Sequence, residues 1–268
     1  MIHRMPKPKQ KQLSVALSIA GSDSGGGAGI QADLQTFASL GVHGTTVITC
    51  ITAQNPGIVS DIEPCSPLIV RRQMEAVFKG FKPRAVKTGM LYSTQIIRTV
   101  TEYLRDQKVS LVVDPVMVST SKARLLEPSS LKSLILDLFP IAALITPNLA
   151  ETELILDNQI HSLEDMRAAS REMHERFGCS ALIKGGHLPT NGRATDVFYD
   201  GKEELLLSVP FVRGIHTHGT GCTYSAAITA FLALGVPLAQ SVVRGKKYIT
   251  GAITRSHRVN GHYVLDWA

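Results

Sequence analysis

A series of short, β-branched apolar runs, each closed by a polar or glycine-rich knot and most separated by helical patterns, constrains the fold of this chain more than any other feature. Residues 13–20 read as a strand, and Ile30, Leu34, Phe37 and Ala38 mark one face of a helix that Gly41 stops. Strands are predicted at 45–51, 85–87, 111–113, 142–145 and 181–184. Helices are predicted at 68–81, 94–105, 131–138 and 163–177. Runs that are apolar along their whole length suit strands buried on both faces. The expectation is therefore an α/β fold with a mainly parallel sheet and helices on both sides. Residues 195–210 break the rhythm and read as two strands around the turn signal Asp200-Gly201.

In open sheets of this kind ligands lie beyond the carboxyl ends of the strands. That rule gathers the polar knots onto one rim: Gly21 to Gly27, Gln54-Asn55, Thr88-Gly89-Met90, Asp114-Pro115-Val116, Asn148 with Glu151, and Lys184-Gly185-Gly186-His187. The last member is His218-Gly219-Thr220-Gly221-Cys222-Thr223, which runs straight into the apolar segment 225–232. A glycine-spaced turn entering a helix presents backbone N–H groups at the positive end of the helix dipole, an anion site suited to phosphate. Plain helix packing gives the same pattern. A thiol at such a position is favoured as thiolate, so Cys222 either titrates near neutrality or simply fills a tight turn.

A length of 268 residues with 44% hydrophobic content fits one domain, assigned here to 13–268, preceded by a basic extension over 1–12. The extension carries Arg4, Lys7, Lys9 and Lys11, and setting those four aside lowers the net charge from +6 to +2. Nucleic acid is not an expected partner. A second basic stretch, from Arg244 through Lys246 and Lys247 to Arg255 and Arg258, reads as the polar face of a late helix. Cys50, Cys65, Cys179 and Cys222 are scattered, which argues against a disulfide scaffold and a structural zinc site. With no targeting segment and no long uncharged apolar run, the expected setting is the cytoplasm, without a membrane partner.

Six of these segments, in order, carry a resemblance: 20–33, 86–91, 113–117, 146–151, 184–187 and 218–223 together resemble the hydroxymethylpyrimidine/phosphomethylpyrimidine kinases of thiamine biosynthesis. The resemblance implies a ribokinase-like fold, ATP and Mg²⁺ as cofactors, and phosphorylation of 4-amino-5-hydroxymethyl-2-methylpyrimidine and then of its monophosphate. It also implies that Gly219, Thr220 and Gly221 cradle the moving phosphoryl group and that Cys222 is the base. Gly21, Ala28, Asp33 and Gln54 are implied around the pyrimidine, with Met90 and Val116 as apolar walls. A bidentate amide such as Gln54 suits an aminopyrimidine edge. Lys184 is the implied partner of the ATP phosphates.

Asp114, Asn148 and Glu151 suit the nucleotide's hard cation, with Asp114 and Glu151 holding Mg²⁺ through water. The spacing of Asn148 and Glu151 equally fits a capping box. Relatives are commonly homodimers. The chain departs from the resemblance at Ser121-Lys122-Ala123, where a glycine is usual, and at Thr88, where many relatives have isoleucine and pyridoxine-accepting ones share the threonine. A pyridoxal or pyridoxine kinase on the same scaffold and a non-catalytic small-molecule sensor are the alternatives.

Overall fold

A computed structural model describes residues 12–118, 125–186, 188, 192–215 and 218–268. The basic extension up to residue 11, the Ser121-Lys122-Ala123 departure and His187 lie outside the described residues. A nine-stranded sheet forms the centre. Its strands are β1 (Val15–Asp23), β2 (His43–Asn55), β3 (Ile58–Pro64), β4 (Ala85–Thr88), β5 (Ser110–Val113), β6 (Leu144–Ile145), β7 (Ser180–Ile183), β8 (Arg193–Tyr199) and β9 (Glu204–Pro210). They lie in the order β3-β2-β1-β4-β5-β6-β7-β8-β9. The six from β2 to β7 run parallel, and β3, β8 and β9 pair antiparallel at the two edges.

The helices are α1 (Gly29–Ser39), α2 (Pro67–Phe81), α3 (Thr94–Leu104), α4 (Leu131–Ser133), α5 (Leu149–Leu156), α6 (Leu163–Phe177), α7 (Thr220–Ala233) and α8 (Leu238–Thr254). Neighbouring residues of one strand serve opposite layers. Val113 packs with Met74 of α2, Ile97 of α3 and Met166 of α6 in one core cluster, whereas Val112 packs with Ile228 of α7 and Val242 of α8 in another. This two-sided burial is why the central strands read as unbroken apolar runs. Helix α7 is buried from Thr223 to Ala230, which accounts for its lack of a polar face. Gly245 lets α8 cross it closely, since a Cβ there would stand 2.7 Å from Ile228.

The structure differs from the sequence expectations in four places. Strand β2 extends to Asn55 and pairs with β3, which no pattern announced, because Ile58, Val59 and Ile62 alternate poorly and lie exposed or half-buried. The predicted helix over 131–138 is one turn of α4 continued as a π-helical turn, Leu134–Leu138. A C-terminal hairpin of β10 (His257–Val259) and β11 (His262–Val264) follows α8. Finally, Lys246 does not join the polar face of α8: it is 8% exposed and its Nζ lies 2.6 Å from Asp196. Among the described residues no helix is long and apolar enough to cross a membrane.

Candidate active site

The strand ends converge as the sheet rule requires. One cavity of about 460 Å³ is lined by residues from every knot on the rim, including Gly21, Gln54, Met90, Asp114, Glu151, Lys184 and Cys222. At its middle stands the start of α7. Gly219 caps this helix with φ +81°, and a Cβ on it would come 1.7 Å from the carbonyl oxygen of Gly27. Only glycine allows the β1–α1 loop to close against the helix start. Gly219 itself offers no side-chain cap, and the first turn of α7 is suited to an anionic ligand.

Opposite charges surround this turn. Lys184 donates from Nζ to Asp114 Oδ1 at 2.9 Å, and Asp114 also accepts from Ser225 Oγ at 3.0 Å and Thr146 Oγ1 at 3.3 Å. Burial pushes the Asp114 carboxyl up, but Lys184 and then Lys87 outweigh it and hold the group below its usual range. Burial pushes the Lys184 ammonium down, and Asp114 and Glu151 hold it above its usual range. Both stay charged. The Lys184 ammonium lies over the first turn of α7, 3.2 Å from where a Gly221 side chain would begin.

Asn148 and Glu151 form the capping box of α5: the Asn148 side chain accepts from the Glu151 N–H at 2.9 Å, and Glu151 Oε2 accepts from the Asn148 N–H at 2.8 Å. Both also line the cavity, so the two readings of their spacing coexist. Burial raises the Glu151 carboxyl to about 7, with Lys184 opposing the shift and Asp114 adding to it. Among the described residues no three metal-ligating side chains cluster. The chemistry of Asp114 and Glu151, two carboxylates in the cavity wall, suits the water shell of a hard dication.

On the β1–β2 side, Met90 and Val116 join Cys50 and Leu125 in a small apolar cluster at the wall, beside Gly21 and Ala28. Asp33 is the exception. It is fully buried and does not line the cavity; its carboxylate accepts from Lys87 Nζ at 2.7 and 2.9 Å and from Ser18 Oγ at 2.5 Å. In the ligand-free protein it stands behind the wall, where it anchors Lys87. Burial alone would push the Lys87 ammonium down, but Asp33, with Cys222 and Asp114, holds it above its usual range. Thr88 is also fully buried.

At Cys222 desolvation opposes the helix dipole. Burial raises its thiol to about 11, with Lys87 opposing that and Asp33 and Asp114 adding to it. Desolvation exceeds the pull of Lys87 and of the Gly29 N–H, so the thiol of the free protein does not titrate near neutrality.

Two groups were not singled out from the sequence. Asp23 accepts from the N–H groups of Gly25, Gly27 and Ala28 and faces His218 Nε2 at 3.1 Å. Burial pushes its carboxyl up, but His218 and these backbone donors hold it below the usual range. An aspartate two residues before a glycine is the signal for such a turn. The cavity is also lined by the apolar side chains of Val209, Val212, Ile249 and Ile253 and by the ion pair of Lys246 with Asp196. These apolar residues come from β9, the segment after it and α8, so no local motif could assemble them.

A phosphomethylpyrimidine kinase family model matches residues 23–266. The hydroxymethylpyrimidine/phosphomethylpyrimidine kinase of Rhizobium meliloti is 48% identical over 247 residues, covering 92% of each chain. Among solved structures, the phosphomethylpyrimidine kinase of Clostridium difficile is 42% identical with a TM-score of 0.79, covering 90% of this chain and all of that one. An ADP complex of Bacillus subtilis pyridoxal kinase is 35% identical with a TM-score of 0.88, covering 95% and 97%.

Proposed function

Because this chain belongs to the phosphomethylpyrimidine kinase family, we propose that its cavity transfers the γ-phosphoryl group of ATP to 4-amino-5-hydroxymethyl-2-methylpyrimidine and then to the resulting monophosphate, as thiamine biosynthesis requires. The observation that carries this reading is the place of α7. The cavity around it is lined both by an amide with apolar walls, at Gln54, Met90 and Val116, and by the apolar side chains of Val209, Val212, Ile249 and Ile253, which supports a reading in which two ligands meet at a helix N-terminus. Val209, Val212, Ile249 and Ile253 suit the adenine, with the Lys246–Asp196 ion pair beside them. Met90 and Val116 suit the faces of the pyrimidine, with Gly21, Ala28 and Gln54 at its edge.

In each transfer a substrate oxygen forms a bond to the γ-phosphorus, the bond to the β-phosphate bridge breaks, and ADP leaves. Such reactions depend on positioning and charge neutralisation. Lys184 and the α7 turn from Gly219 to Cys222 would take the charge on the moving group. Cys222 would accept the proton of the substrate hydroxyl, acting as thiolate. A magnesium ion bound to the nucleotide would neutralise phosphate charge, with Asp114 and Glu151 holding its waters and Asn148 steadying Glu151. The homodimer expected from relatives is supported by Ile51 and Ile58, which are 57% and 54% exposed on the β2–β3 ribbon.

The test is incubation of purified protein with MgATP and either the hydroxymethylpyrimidine or pyridoxal, products being resolved by mass. Conversion of the pyrimidine through mono- to pyrophosphate is expected. Phosphorylation of pyridoxal alone would favour the second reading, for which the likeness in shape to pyridoxal kinases speaks.

A further inference from the structure

Gln54 is where the proposed site would read its heterocycle, and the groups behind it fix how it can do so. Its Nε2 lies 2.8 Å from His218 Nε2, and its Oε1 lies 3.2 Å from Thr52 Oγ1. His218 Nε2 also lies 3.1 Å from Asp23 Oδ2, and Thr52 Oγ1 lies 2.9 Å from the Ser22 carbonyl oxygen. Read atom by atom, these contacts conflict. Nε2 of His218 must carry a hydrogen to donate to a carboxylate and must lack one to accept from an amide nitrogen. The single hydrogen of Thr52 is likewise asked to serve two acceptors.

Amide orientation is an assignment, made by satisfying the network. Turning the Gln54 carboxamide end for end removes both conflicts at once. His218 Nε2–H then donates to Asp23 Oδ2 and Gln54 Oε1 together, Gln54 Nε2 donates to Thr52 Oγ1, and Thr52 donates to Ser22. Asp23 makes this tautomer the stable one, because its carboxylate accepts at that nitrogen. The imidazole is held in place by the glycine loop, since a side chain on Gly27 would start 3.1 Å from its Cδ2. Among the described residues Nδ1 of His218 is buried without a partner, so none of them anchors the ring in the other tautomer.

We propose that His218 is a positioning residue for substrate choice: its Nε2–H, shared between Asp23 and Gln54, holds the Gln54 amide so that one carbonyl lone pair and one N–H face the cavity. That pair complements a heteroaromatic ring carrying an exocyclic amine beside a ring nitrogen, and it rejects a ring without the amine. The inference rests on the pyrimidine reading above and assigns the selectivity of that site to His218 acting through Gln54.

The experiment measures dissociation constants by calorimetry, without nucleotide, for 4-amino-5-hydroxymethyl-2-methylpyrimidine and for its analogue lacking the 4-amine. Wild type, His218→Leu and His218→Gln are compared, because a glutamine amide reaches the place of Nε2 and keeps the donor. Wild type is expected to favour the amine-bearing ring about tenfold or more, the scale on which a polar site rejects an analogue that leaves its groups unpaired. His218→Leu should bring the two ligands to similar affinity with the analogue unchanged, and His218→Gln should restore the preference. Turnover at saturating substrate should change less than the dissociation constant. Equal weakening of both ligands, or a fall in turnover with unchanged binding, overturns the proposal, the latter assigning His218 to phosphoryl transfer. Should the leucine variant not fold, His218→Asn leaves Gln54 without its donor and carries the same comparison. Wild type that binds neither ring overturns the pyrimidine reading itself, before any variant is compared.

Discussion

At the scale of the residue, Cys222 shows two opposing rules acting on one atom. A thiol on the first turn of a helix gains from the dipole as thiolate, and a half-buried thiol in a cavity wall loses more from its incomplete hydration. With the thiol at about 11, roughly one molecule in ten thousand carries the thiolate at pH 7. The charged form is the reactive one, so two rates should rise together with pH. Alkylation of Cys222 by iodoacetamide, followed by peptide mass mapping on the ligand-free protein, should keep increasing beyond pH 9; a plateau near pH 7 would refute the burial argument. If the thiolate is the base, kcat/KM should rise in the same range, and Cys222→Ala should be slow and flat in pH. A wild-type profile as flat as that of the variant would leave the cysteine a passive wall. The position of this residue was legible in the sequence, since glycine spacing and the apolar run beyond it mark a helix start. Its solvation was not, because that depends on Lys87 and Asp33 arriving from β4 and α1. The same distance hid buried ion pairs such as Lys87 with Asp33, 54 residues apart, and Lys246 with Asp196, 50 apart.

At the scale of the element, the start of α7 is fixed by an approach between backbones rather than by a cap. Gly219→Ala would place a methyl group against Gly27 and force a left-handed residue to carry a side chain. Strain of this kind costs about 1–3 kcal/mol, and relief requires the glycine loop to move off the helix. The expected result is a thermal midpoint lowered accordingly and a nonhydrolysable ATP analogue bound at least tenfold more weakly by calorimetry. Undiminished nucleotide affinity would mean that the anion does not sit on this turn. Helix starts and buried strands of this kind could be read in advance because their patterns are local: α6 falls where its apolar spacing and Ser162 cap place it. Strand β3 was not readable, because an edge ribbon with little burial on either face imposes no alternation on its residues. The basic stretch in α8 misled for the converse reason. Its charges look alike in sequence, and only the arrival of Asp196 on β8 turns one of them inward.

At the scale of the whole molecule, the end of the chain is tied to the same helix start. Leu265 is 2% exposed, the Asp266 N–H donates to Ala252 in α8 at 3.3 Å, and the Tyr248 hydroxyl donates to the Trp267 carbonyl oxygen at 3.1 Å. The indole Nε1–H of Trp267 then donates to Thr223 Oγ1 at 3.2 Å, one residue beyond Cys222. Nothing in the sequence after Ser256 announced this strap, since its partners lie on α7 and α8. It gives the molecule a built-in reporter, for Trp267 is the single tryptophan of the chain. An anion settling on the first turn of α7 changes the field at Thr223 and hence at the indole. Titration with a nonhydrolysable ATP analogue should therefore change tryptophan emission along a saturating curve whose midpoint agrees with calorimetry. Thr223→Val keeps the shape of the side chain and removes the acceptor. It should reduce the emission change while leaving nucleotide affinity within about threefold, the scale of one modest hydrogen bond. Emission that stays constant in wild type while calorimetry records binding would show that the nucleotide is held without engaging the first turn of α7. The proposed meeting of nucleotide and pyrimidine would then have to lie elsewhere in the cavity.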